Sequence, residues 1–102
     1  MAYDPSEQDE IEHEFLKLLR YATKDGGKKR AAGTKVPWKI DPGHLEAFHR
    51  HVGRTYLDPG GRDPDSGASH WVAVAWRALA LAWQEDHKDE MRDEWRRLGY
   101  GA

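Results

Sequence analysis

The sequence has no cysteine, which excludes disulfides, thiolate metal sites and a cysteine nucleophile. No apolar run is longer than six residues, since Trp71–Trp76 is cut by Arg77, and that is too short for a membrane-spanning helix. The opening stretch Met1–Glu14 carries six acids and no Lys or Arg, where a secretory signal needs a basic and then an apolar segment. There is no Gly-rich phosphate loop, no histidine spacing of a zinc protease or zinc finger, no Ser-His-Asp signature and no internal repeat. These absences lead to the expectation of a soluble, cytoplasmic chain with no membrane partner.

What is present fits one small domain over residues 1–102. A chain of this length buries only about 60–65% of its unfolded surface, so each large apolar side chain counts. Charged residues make up 33% of the chain, and five tryptophans supply much of its apolar bulk. The net charge of −2 is unevenly spread. Residues 15–77 hold twelve Lys/Arg against six Asp/Glu, between acidic ends. A basic middle suits an anionic partner, or else the ends neutralise it within the fold. The modest basic excess and an isoelectric point near 6.3 argue against nucleic acid as that partner.

Periodicity predicts an all-α fold, a small bundle of three to four helices. The first helix is expected over Ser6–Thr23, capped by Ser6 with Asp9 at the reciprocal position and with Ile11, Phe15, Leu18, Leu19 and Ala22 on one face. Residues 24–40, with three glycines and a proline, predict a long basic loop before the second helix. Asp41 is placed as the cap of that helix and Pro42 at its first position, with Leu45, Phe48, Val52 and Tyr56 on the apolar stripe.

A third helix is expected from Ser69. Its apolar residues sweep roughly 220° of the wheel at 100° per residue, leaving Ala73, Arg77 and Ala80 on the remainder. Such a width implies a central helix or one half-covered by a second subunit, hence a homodimer. Residues 85–98 form either a charged C-terminal helix or a continuation of the third, ending at Gly99.

Several residues are candidates for chemistry. Asp63, Asp65 and Ser66 ahead of a helix offer hard oxygen ligands for Mg²⁺, and His70 suits an acid, base or phosphate contact. The same residues also satisfy a turn and a helix cap. Arg50 and Arg77 have guanidinium forks that match phosphate oxygens, and Trp38 and Trp71 offer faces for a base. His44, His51 and His70, each taken alone, read as surface or capping residues. The ExxE pair Glu7 and Glu10 and the ExxD pair Glu90 and Asp93 read as solvated helix faces.

The stretches GTKVPWKIDPGHLEAFHRHV and DPDSGASHWVAVAWRALALAWQE together resemble a group of small, mostly phage-encoded proteins that are dATP/dGTP diphosphohydrolase N-terminal-domain-like. The resemblance extends loosely to the all-α MazG-type nucleotide pyrophosphohydrolases. Lys35 and Trp38 match the first element of the pattern, Arg50 and His51 the second, and Asp63, Asp65, Ser66, Gly67 and His70 the third. Ala73 departs from it, standing where that group often has a further histidine.

Two functions follow from the resemblance. One is a metal-dependent purine dNTP pyrophosphohydrolase yielding dNMP and pyrophosphate, with Asp63 and Asp65 on Mg²⁺ and His70 and Asp65 as catalytic groups. In it Lys35, Trp38, Arg50, His51, Ser66 and Arg77 hold the nucleotide. The other is a non-catalytic phage protein that binds a nucleotide, another small anion or a host protein through the basic middle and the tryptophan-rich helix.

Overall fold

The computed structural model of the protein describes residues 4–31, 37–64 and 66–99, with the backbone alone over 25–31. Among the described residues there are four α-helices, α1 (Pro5–Ala31), α2 (His44–Leu57), α3 (His70–Asp86) and α4 (Lys88–Leu98). A 3-10 turn at Trp38–Ile40 precedes α2, and no strand occurs among these residues. The all-α expectation holds.

Local chemistry sets the helix ends. Asp4, not Ser6, caps α1: its Oδ1 accepts the Ser6 backbone N–H at 3.0 Å and the Ser6 hydroxyl at 2.9 Å. The hydroxyl contact, with the Ser6 and Glu7 backbone N–H groups, holds the Asp4 carboxyl below its ordinary range. α1 then overruns its expected end and continues through Gly26 and Gly27 to Ala31. Each glycine costs a helix about 1 kcal/mol, but Lys28, Lys29, Arg30 and Ala31 are good helix formers, and cations suit a helix C-terminus. The expected loop over 24–40 is thereby corrected: 24–31 is helix, 38–40 is the 3-10 turn, and 32–36 lies outside the described residues.

Asp41 accepts the Gly43 N–H at 2.8 Å, and α2 opens at His44, just beyond the expected Pro42. Ser69 caps α3 by accepting the Val72 N–H at 3.2 Å. His87 separates α3 from α4, so the C-terminal segment is a separate helix rather than a continuation. α4 stops at Gly99, whose N–H donates to the Arg96 carbonyl. Asp89–Arg92 and Glu94–Arg97 ion pairs lie along its exposed side.

Packing buries a different face of two helices than expected, with Phe48 and Val52 of α2 and Val72, Trp76 and Trp83 of α3 left half-buried at its margins. The buried face of α2 is His44, Ala47, His51 and Thr55, while Leu45 and Tyr56 of the expected apolar stripe are exposed. The buried face of α3 is His70, Ala73, Ala80 and Gln84, with Arg77 only 12% exposed. Those are the positions left over by the apolar sweep. Trp71, at 67% exposure, and Leu79 face outward.

The two polar faces meet, and the helices run antiparallel. The start of α2 meets the end of α3 through Asp41 and Gln84, and the end of α2 meets the start of α3 through Asp58 and His70. Alanines at 47, 73 and 80 let the backbones approach closely enough for the long polar groups to meet in pairs. α1 lies on another side of α3, where Leu19 and Ala22 are half-buried and the Trp76 indole N–H donates to the Thr23 hydroxyl at 2.9 Å. α4 closes the end with Met91 buried and Trp95 donating to the Ile40 carbonyl at 2.7 Å.

Candidate functional site

Two regions bring chemistry-bearing residues together. The first is the buried polar seam between α2 and α3. His44 is 1% exposed, and its Nε2 lies 2.6 Å from the Trp38 carbonyl oxygen. A carbonyl only accepts, so Nε2 carries the proton; Nδ1 then accepts from the Arg77 guanidinium at 2.8 Å. Arg77 also lies 3.9 Å from the Asp41 carboxylate and over the Trp76 ring. Further along, Gln84 Nε2 donates to the carbonyls of Lys39 at 3.0 Å and Asp41 at 2.8 Å. Three side chains, those of His44, Gln84 and Trp95, thus donate to the carbonyls of the 3-10 turn that presents Trp38.

At the other end of the seam, His70 Nε2 donates to Asp58 Oδ2 at 2.9 Å. Gly61 makes room for this contact. A Cβ at position 61 would sit 1.8 Å from that same Asp58 oxygen. His51 is buried nearby. Burial pushes its imidazole pKa down, the Asp63 carboxylate opposes this, and Arg50, Arg77 and Arg54 add to the lowering. Nδ1 of His51 and Nδ1 of His70 are buried with no hydrogen-bond partner.

The loop joining the two helices closes on itself. Asp63 N–H donates to the Ala68 carbonyl, Gly67 N–H to the Asp63 carbonyl, and Asp63 Oδ1 accepts the Ser66 N–H at 3.2 Å. Ser66 Oγ accepts the Ala68 N–H at 3.1 Å, and Ala68 is buried beneath. Gly67 has φ +76, a backbone region costly for residues with a Cβ, and its carbonyl accepts from Arg62. Asp63, Ser66 and Gly67 each have a part in shaping the turn.

The second region is a groove of about 560 Å³ between α1 and α3. Leu16, Leu19, Arg20 and Thr23 line one wall, and Trp38, Trp76 and Trp83 the other. Trp38 and Trp83 meet edge to face with ring centres 5.1 Å apart, and His87 stacks on Trp83 at 3.9 Å. The Lys39 ammonium stands 5.2 Å from the Trp83 ring centre and 5.9 Å from that of Trp38. Among the described residues, neither Arg20 nor Lys39 is paired with a carboxylate.

This geometry coincides with a match to known proteins. The family described as dATP/dGTP diphosphohydrolase, N-terminal, matches residues 21–94. The chain belongs to that family. No curated protein and no solved structure matches it. The family's stretch runs from the second half of α1 into α4, so it takes in the polar seam and all three indoles that line the groove.

The residues expected to act are dispersed through this family domain. Trp38 lines the groove. Arg77 and His51 belong to the seam, and Ser66 and Asp63 to the self-closed turn. Arg50 is on the outside of α2, paired with Glu46 at 2.8 Å. His70 turns inward to Asp58, and Trp71 is exposed on the opposite flank of α3. Lys35 and Asp65 lie outside the described residues. The reading of His44, His51 and His70 as surface or capping groups is corrected, since all three are buried. Glu7, Glu10, Glu90 and Asp93 are exposed, as solvated faces should be.

The Mg²⁺ pair Asp63 and Asp65 has one member outside the description. Among the described residues no three of His, Asp and Glu come together in a way that could hold a metal. Sequence reasoning missed Asp58, Gly61, Gln84 and Arg20. Only Gln84 left a signal: it continues the spacing His70, Ala73, Arg77, Ala80 at helical intervals. No helix of the described residues is long and apolar enough to cross a membrane.

Proposed function

We propose that this domain binds a purine deoxynucleotide in the groove between α1 and α3. The observation that carries the reading is a concave surface lined by three indoles and Arg20, with the Lys39 ammonium standing by the Trp83 and Trp38 rings. A base needs apolar ring faces, and tryptophan supplies the largest. The phosphates need cations that carboxylates have not already neutralised, and Arg20 and Lys39 meet that condition. A volume of about 560 Å³ falls inside the range of small-ligand sites. The purine preference comes from the family's description and rests on that alone.

Binding is favoured over hydrolysis by where the acid–base groups lie. His70 is buried with its Nε2 committed to Asp58, Asp63 Oδ1 accepts the Ser66 N–H of the turn, and neither side chain lines the groove that holds the indoles. The domain's part is to hold the nucleotide by its base and phosphates.

The test is titration of the protein with dATP, dGTP, dCTP and dTTP, with and without Mg²⁺, following tryptophan fluorescence and calorimetric heat. Products are resolved by chromatography in the same samples. Saturable quenching by the purine nucleotides is expected, weakened at least roughly tenfold in Trp38→Ala and in Arg20→Ala, since each removes a stacking or charge-assisted contact. No saturable binding by any of the four sinks the proposal. Release of monophosphate and pyrophosphate that disappears in Asp65→Ala or His70→Ala replaces binding with catalysis.

A further inference from the structure

Of the eleven most exposed large apolar side chains among the described residues, seven sit on α1 and α3. They are not scattered. Phe15 and Leu18 of α1 border Trp71, Ala75, Ala78 and Leu79 of α3 around a second groove of about 460 Å³, on the flank away from Trp38. Along α3 the positions Trp71, Ala75, Ala78 and Ala82 recur on one face, all exposed and none polar or charged. Contiguous apolar surface of this kind on a small domain marks an interface.

Charge decides what covers it. The first part of α1, from Pro5 to Glu14, has five acids and no Lys or Arg; the second, from Phe15 to Ala31, has six Lys/Arg and one acid. A helix so divided is complementary to itself only when reversed. Two-fold symmetry supplies that reversal, because an isologous contact sets the same element against itself in antiparallel order. Centred at Lys17–Leu18, within the apolar stripe, the reversal brings Glu7 and Glu10 of one copy toward the positions of Lys28 and Lys24 in the other. The alanines of α3 leave room for the approach.

We infer that the chain forms a two-fold homodimer through the exposed faces of α1 and α3, with the two α1 helices antiparallel. The α1–α3 groove lined by Trp38 stays on the other flank of each subunit, so the dimer and the nucleotide site are separable.

The experiment is sedimentation equilibrium on the full chain and three variants, with circular dichroism to verify helix content. At about 50 µM the unaltered protein is expected as a dimer, since a symmetric dimer is set by protomer concentration. Ala78→Arg places a charge in the middle of the face and is expected to yield monomers with unchanged helix content. Glu7→Lys with Glu10→Lys, and separately Lys24→Glu with Lys28→Glu, are each expected to weaken self-association roughly tenfold, since each turns all four opposite-charge meetings of the dimer into like-charge ones. Mixing these two variants restores the charge match and is expected to return a heterodimer. A monomeric unaltered chain overturns the proposal, as does a dimer indifferent to Ala78→Arg or a mixture no tighter than its components. If the face is instead covered by another protein, the chain is monomeric alone and the proposal fails.

Discussion

Arg77 of α3 donates to Nδ1 of His44 on α2 at 2.8 Å, inside the contact between the two helices. The pair is 33 residues apart in sequence and forms the middle of the seam. Because His44 Nε2 is already committed to the Trp38 carbonyl, Arg77 fixes both the tautomer and the orientation of the ring.

Replacing Arg77 by leucine leaves a buried acceptor unpaired. The expected loss is about 2 kcal/mol, the desolvation penalty of one unsatisfied group. Urea unfolding followed by far-ultraviolet circular dichroism measures it. A phosphate-binding arginine would behave differently, costing nucleotide affinity while leaving the unfolding midpoint unchanged.

Gly61→Ala is expected to break the Asp58–His70 hydrogen bond, because the added Cβ occupies the place of the Asp58 oxygen. Loss of a bond to a charged group costs about 1.5–3 kcal/mol. Asp58→Asn, which keeps an acceptor at that position, is expected to cost less than Gly61→Ala in the same unfolding assay.

Stability is expected to fall as the pH drops below about 6.5. The sign comes from His51, whose folded pKa is lowered from 6.5 chiefly by burial. Above 6.5 neither state takes up the proton, so the contribution there is constant. Below it the unfolded chain takes up the proton first, which favours unfolding until the folded pKa is passed. His51→Gln is expected to flatten that part of the curve, measured as melting temperature from pH 7.5 down to pH 5.

Gln84→Leu removes both donations to the 3-10 turn and leaves the carbonyls of Lys39 and Asp41 without them. Faster amide exchange across residues 38–43 is expected, with a stability loss of about 1–3 kcal/mol. Nucleotide affinity is expected to fall as well, since Trp38 is positioned by that turn. Unchanged exchange in this segment would show that the turn is held by other contacts.

Helix boundaries were legible where one residue's own chemistry marks them. Ser69 sits where a short oxygen-bearing side chain satisfies a helix start, and Gly99 stands where the last helix stops; Asp41, expected as the cap of α2, lies two residues before its actual cap Gly43 and bonds the Gly43 N–H instead. The Asp-x-x-Ser-Gly turn was legible for the same reason, its hydrogen bonds spanning five residues or fewer. The glycine pair in α1 misled, because a helix tolerates a local cost of about 2 kcal/mol when the residues beyond it favour helix. In the candidate groove, Trp38 was legible as a ring that offers a face to a base. Arg20 was not, because its relation to Trp38 exists only once α1 lies against α3.

By itself the amino-acid order determined an all-α chain, the start of α3, the stop after α4 and membership of a nucleotide-related family. Which face of α2 and α3 is buried was decided only by tertiary structure. An apolar stripe forecasts burial when polar groups have nothing inside to satisfy them. Here His44, Arg77, Asp41 and Gln84 satisfy one another and the backbone of the 3-10 turn, so the penalty that would turn them outward is cancelled. That cancellation needs partners dozens of residues away, and no local window contains both halves of it.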